Sequence, residues 1–291
     1  MSKQRLPLSL LRYHQETFKG LGKIVLRSLK LTQSQQVIDD WRQIPVISRV
    51  IPAPNDVLVN HYIAWSGAAE SHYQQSIPPH LVSQWGLALA TDLLLQTKYN
   101  LASVINQGVT LKINGDLPRH QDLLVQAKVY SVHEQYGLAR VSVQIITGTS
   151  VQPNLVETIL HMAFLLADFK KSKKVRQADH LQWQQLGQWQ ATAHDGLKFA
   201  LLTGDFNPIH WIGIVGKLSA FKQKVLHGFG MLVRTYEFLP VPIHTLDVRF
   251  LKPVSLPSAQ LNVEVAELEN GKHALRLIGT NGVIHLSGQF Q

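Results

Sequence analysis

Thr203-Gly204-Asp205-Phe206-Asn207-Pro208-Ile209-His210 concentrates an acid, an amide and an imidazole around a proline. Pro208 makes a continuous helix through the stretch unfavourable, because its ring lacks an N–H and clashes one turn back. A turn or loop lets Asp205 and His210, five positions apart, aim at one small volume. In a partly buried pocket Asp205 would serve as base and His210 as acid, or the two would hold one water between them. Asn207 cannot titrate, so its work is to bond the turn's backbone or orient Asp205. Taken alone, Asp-x-Asn-Pro is also a common surface turn. Seventeen residues beyond His210, His227-Gly228-Phe229-Gly230-Met231 opens an apolar run without an internal proline. Gly228 permits close backbone approach. An N–H at a helix start points outward at the positive end of the helix dipole, which suits a developing oxyanion. The two segments together point to chemistry that moves water and a proton next to a carbonyl.

These residues need a scaffold, and the hydrophobic pattern supplies one. Gly228 to Leu239 reads as a helix, followed by Leu246–Phe250 and Leu261–Val265, which alternate apolar and polar residues, and by strand-like segments at Ala274–Ile278 and Val283–Phe290. Asn270-Gly271 and Asn281-Gly282 separate the later ones, and Asn-Gly is a strong hairpin signal. The order recurs upstream: an Ala/Leu-rich helix from Leu81 to Gln96, then strands at Val109–Ile113, Leu123–Val132, Leu138–Ile146 and Leu155–Leu166. His80 precedes the first helix as His227 precedes the second. One helix wrapped by a curved antiparallel sheet, occurring twice, predicts an α+β double hotdog whose two sheets join edge to edge.

Composition narrows the classes. The chain has 291 residues, 45% apolar and 16% charged, enough for a packed core. No cysteine is present, which excludes disulfides and thiol catalysis and fits a cytoplasmic setting. No apolar run reaches the roughly 18 residues of a membrane span. The net charge of +9 sits mainly in two short segments: residues 1–30 carry a net +6 and Lys170-Lys171-Ser172-Lys173-Lys174-Val175-Arg176 carries +5. A nucleic-acid partner would place basic residues among aromatics on the folded body, so none is expected. Phe18, Leu21, Val25 and Leu29 make the N-terminal segment a basic amphipathic helix, to pack on the body or meet a membrane surface or partner. The expected organisation is a basic extension (1–40), an N-terminal hotdog (41–169), a basic linker (170–180) and a C-terminal hotdog (181–291). No histidine pair at helical spacing with a third ligand points to a metal, and neither G-x-S-x-G nor a P-loop occurs.

Gly204-Asp205-Phe206-Asn207-Pro208-Ile209-His210 followed by Val225-Leu226-His227-Gly228 resembles the hydratase-2 signature of the MaoC-like dehydratases, with looser support from Phe250-Leu251-Lys252-Pro253-Val254. The resemblance implies a hotdog fold, an acyl thioester of CoA or of acyl carrier protein as substrate, and no metal or other cofactor. It gives Asp205 and His210 the catalytic pair, Gly228 the oxyanion N–H and Asn207 the supporting amide. Pro208, His227 and Phe229 complete the site. The activity implied is reversible hydration of a trans-2-enoyl thioester to a (3R)-3-hydroxyacyl thioester. Ile212 stands where many relatives carry an acid, and Phe229 where many carry Met. The upstream half has Ala64-Trp65-Ser66-Gly67-Ala68-Ala69-Glu70 in place of the motif, and Leu81 after His80. One active site per chain is therefore expected, with the N-terminal copy degenerate and walling the tunnel. A silent thioester-binding protein and an acyl-thioesterase are the alternatives, and the pseudo-dimeric chain leaves further homodimerisation open.

Overall fold

The computed structural model describes residues 8–13, 37–69, 71–169, 181–268 and 271–291. The amphipathic residues Phe18 to Leu29, the 170–180 run and Asn270 lie outside the described residues. Ten strands form one antiparallel sheet: β1 (Ile47–Ile51), β2 (Ile105–Ile113), β3 (Leu123–Gln135), β4 (Leu138–Gly148), β5 (Val156–Leu165), β6 (Gln184–Trp189), β7 (Thr245–Phe250), β8 (Leu261–Glu267), β9 (His273–Gly279) and β10 (Ile284–Phe290). Their spatial order is β1-β3-β4-β5-β2-β7-β10-β9-β8-β6. Each half thus repeats one topology, and the halves meet through β2 and β7. There Val109 faces Val248 and Leu111 faces Leu246. The edge-to-edge union expected from the repeat is present, and it removes the two edges that β2 and β7 would otherwise expose.

Alternation explains the layers. Along β3, Leu123, Val125, Ala127 and Val129 are buried while Gln126, Lys128 and Tyr130 are exposed. The buried face receives α1 (Asp56–Ser66) and α2 (Ser83–Leu94) in the first half, and α3 (Asp195–Thr203) and α5 (Gly228–Tyr236) in the second. A short α4 (Gly213–Leu218) lies outside this core. From α5, Phe229, Met231, Leu232, Val233 and Tyr236 are buried, at roughly 1.5–3 kcal/mol for each large apolar side chain.

The two central helices are shorter than the apolar runs suggest. The first run opens as a 3-10 turn at Pro79–Val82, since Pro79 has no N–H to donate. The second ends at Tyr236, where Phe238 and Leu239 turn back onto the carbonyls of Thr235 and Tyr236. Asn281-Gly282 makes the β9–β10 turn, with the Asn281 carboxamide oxygen accepting from the Val283 N–H at 3.2 Å. Among the described residues, no helix is long and apolar enough to cross a membrane.

Candidate functional site

The Asp-to-His stretch begins where α3 stops. Gly204 ends the helix in the left-handed region (φ 84°), a conformation that costs glycine little, and its N–H bonds the Ala200 carbonyl at 2.8 Å. Pro208–His210 then forms a single 3-10 turn with Asn207 at its cap and Pro208 in the first position. The Asn207 side-chain oxygen accepts from the Ile209 N–H at 3.3 Å, and the Asn207 N–H donates to Asp205 Oδ1 at 3.4 Å. Asn207 therefore both closes the turn and meets the Asp205 carboxylate.

The turn delivers His210 inward and leaves Asp205 partly open. His210 is 9% exposed, whereas the Asp205 side chain keeps 33% of its surface. One carboxylate oxygen of Asp205 and one ring nitrogen each of His210 and His227 lie within 4.8 Å of one another. His227 immediately precedes α5 and is 1% exposed. Its ring stacks on that of His210, with centroids 3.6 Å apart and planes 28° apart, and Phe199 of α3 packs on its other side at 5.0 Å. His227 Nε2 lies 2.9 Å from the Asp205 carbonyl oxygen and His210 Nδ1 lies 2.7 Å from that of Val225. A carbonyl only accepts, so these contacts assign the proton to Nε2 of His227 and to Nδ1 of His210. The unprotonated nitrogens are then His210 Nε2 and His227 Nδ1, and the latter is buried without a partner.

Burial governs the charge of both rings. It pushes His210 below the ordinary histidine range, against the opposing pull of Asp205 and the Val225 carbonyl. His227 is pushed down to about 3, by burial first and by His210 second. Burial thus favours a neutral His210 whose proton sits on Nδ1, leaving Nε2 open to accept one. The same geometry bears on metal binding. Asp205, His210 and His227 each offer one donor atom close enough to share an ion, while the two histidine rings stack and each directs one ring nitrogen at a backbone carbonyl. The arrangement suits proton transfer.

Gly228 opens α5, so its N–H is among the first-turn donors that no intrahelical carbonyl can satisfy. A Cβ here would fall 2.6 Å from the Phe250 ring, which accounts for glycine at this position. Phe229 is 2% exposed and packs in the core. Backbone groups and residues outside the motif also shape the site. Val225 contributes only its carbonyl. Trp65, from the first half, packs on Phe199 at 4.9 Å and bonds Asp195 Oδ1 through its indole N–H at 3.3 Å. The first half thereby contributes to the wall behind His227.

At the equivalent place in the first half, His80 is wholly buried between the Tyr62 hydroxyl at 3.0 Å and Glu237 Oε1 at 2.8 Å. Glu237 follows α5, so this network ties the halves together. Two surface clefts of about 280 and 410 Å3 lie around Lys98, Tyr99 and Glu134 and include none of the motif residues. The titratable groups that cluster among the described residues of the motif are instead Asp205, His210 and His227.

The burial of His227 has a measurable consequence. Its folded-state value lies below the ordinary 6.5, so the unfolded chain takes up the proton first and stability falls as pH drops from 6.5 toward 3. At roughly 1.4 kcal/mol per unit, His227 alone costs about 2 kcal/mol by about pH 5. His227→Gln should flatten the fall in Tm between neutral pH and pH 5, and a slope identical to wild type would show that His227 does not carry it.

Residues 168–287 match the family model described as MaoC like domain. Among solved structures, HtdX of Mycobacterium tuberculosis superposes with a TM-score of 0.69 at 18% identity, covering 84% of this chain and 99% of its own. A MaoC-like dehydratase from Phytophthora capsici gives 0.66 at 14% identity, covering 89% and 97%. An acyl-ACP thioesterase from Bacteroides thetaiotaomicron gives 0.53 at 8% identity, covering 87% and 100%. At these identities the likeness is one of fold, the hotdog. No curated protein sequence matches this chain.

Proposed function

We infer, for a chain that belongs to the MaoC-like dehydratases through residues 168–287, that it reversibly hydrates a trans-2-enoyl thioester to a (3R)-3-hydroxyacyl thioester. The observation that carries this reading is the clustering of Asp205, His210 and His227, the last of which immediately precedes α5. Water lies between the Asp205 carboxylate and His210 Nε2. As its oxygen adds to C3 of the enoyl group, His210 takes the released proton, and electron density moves through C2 onto the thioester oxygen. The Gly228 N–H stabilises that enolate, a contribution of about 3–4 kcal/mol in a dry site. His210 then returns the proton to C2, so every group ends the cycle as it began. Asp205 fixes the water and offsets the transient imidazolium charge. Dehydration runs the same steps backward.

The site is proposed for residues 181–291 alone, with the 41–169 half supplying wall and partner sheet. The His80–Tyr62–Glu237 network offers no carboxylate-and-turn counterpart to Asp205-x-Asn207, which supports one active site per chain. A thioesterase is the competing reading, because the same fold occurs in an acyl-ACP thioesterase. Chiral analysis of the product formed from crotonyl-CoA tests the stereochemical part: (3R)-3-hydroxybutyryl-CoA is expected, and the 3S isomer would overturn it.

A further inference from the structure

The segment between the two histidines, residues 211–224, has an unusual surface. It exposes Ile214 (71%), Leu218 (80%) and Phe221 (42%) on and just after α4. Lys217 and Lys222 are exposed among them. No acidic residue occurs from Phe206 to Tyr236. A basic patch studded with large apolar side chains is expensive to leave in water and marks a place where something docks.

The segment is held in shape. Gly216 packs so closely on the returning limb that a Cβ would lie 2.6 Å from the Lys224 N–H nitrogen. Ser219 Oγ bonds the Gly216 carbonyl at 2.6 Å, and Lys224 Nζ bonds the Ala193 carbonyl at 2.8 Å. Val225 bridges Ser255, and the Leu226 N–H bonds the Val254 carbonyl at 2.8 Å. One end of the segment leaves His210. The other end is Val225, whose carbonyl holds His210 Nδ1. A ligand seated on this surface therefore sits beside the reacting groups.

We propose that residues 211–224 dock the carrier of the substrate, and that this carrier is an acidic acyl carrier protein in preference to the nucleotide of CoA. The proposal rests on the thioester reading above, since a thioester entering the site leaves its carrier at the rim. Phosphates and an adenine ask for cations and a slot, and three exposed apolar side chains give a nucleotide little. A protein with acidic and apolar residues on one face complements both features: lysines steer its approach and the apolar side chains supply the desolvated centre.

The test compares wild type with Leu218→Ser and Lys217→Glu, assayed on crotonyl-acyl carrier protein and crotonyl-CoA. Neither residue touches the proposed reacting groups, so the CoA reaction also reports correct folding. Each variant should raise KM for the carrier substrate about tenfold and leave the CoA reaction at wild-type rate. Unchanged kinetics on the carrier substrate, an equal loss on both substrates, or a wild type that uses CoA alone overturns the docking proposal while the hydratase reading stands. Hydration of neither thioester by wild type overturns both. Binding to anionic phospholipid vesicles, or self-association, that the variants abolish without changing carrier kinetics would assign the patch to a membrane or a second copy instead.

Discussion

Asp205→Asn should lower the hydration rate on crotonyl-CoA about 1,000-fold, the scale of losing a preorganised electrostatic group that stabilises developing charge. The amide is nearly isosteric. It can still accept from the Asn207 N–H, which now meets Asp205 Oδ1 at 3.4 Å, and the Asp205 carbonyl that accepts from His227 Nε2 is main chain and unchanged. The turn, the histidine stack and the fold should therefore survive, and Tm should stay near wild type. What disappears is the negative charge. Without it, the imidazolium formed on His210 has no counter-charge in a site where burial already disfavours a charged ring. The loss should fall mainly on kcat, because the interaction is strongest as charge develops. A variant with wild-type kcat would remove Asp205 from the chemistry.

Gly228→Ala should cost about 100-fold in kcat/KM, the scale seen when an oxyanion donor is lost or misplaced. Helix propensity would favour alanine here, so the expected loss runs against the local preference. The reason is steric. The added methyl would lie 2.6 Å from Phe250 Cδ2 and 2.7 Å from Cε2, so either the ring or the first turn of α5 must move. Moving the turn swings the Gly228 N–H off the thioester oxygen and disturbs His227, the residue before it. Phe250→Leu combined with Gly228→Ala makes room for the methyl and should recover much of the rate. If Gly228→Ala alone keeps full activity, the N–H of residue 228 is not the oxyanion donor.

The sequence and the structure agree where side chains alone carry the information. Period-two alternation marks β7 and β8, and the recurrence of helix-then-strands makes the two halves legible in the sequence. Less visible was β6, whose Gln184-Gln185-Leu186-Gly187-Gln188-Trp189 has no alternation and lies at a sheet edge, where burial demands little. Helix α3, with its buried Phe199 and Leu202, is also faint in the sequence, because it is nine residues long and His194 at its start makes no side-chain cap. Within the site, residue types and spacing gave Asp205, Asn207, His210 and Gly228. They did not give the stack of His227 on His210, or the two backbone carbonyls that fix the tautomers. Such contacts leave no mark in residue identity, because any residue at 225 would present a carbonyl. The neutral state and the tautomer of His210 rest on burial and on the Val225 oxygen, neither of which a motif encodes.

Incubating the wild-type protein with crotonyl-CoA while recording enoyl absorbance and free thiol together tests the central claim most directly. Hydration at the Asp205–His210 site predicts that the enoyl absorbance falls to an equilibrium value with no thiol released. Thiol release at the rate of enoyl loss would make the protein a thioesterase, and an unchanged enoyl absorbance would contradict a hydratase altogether.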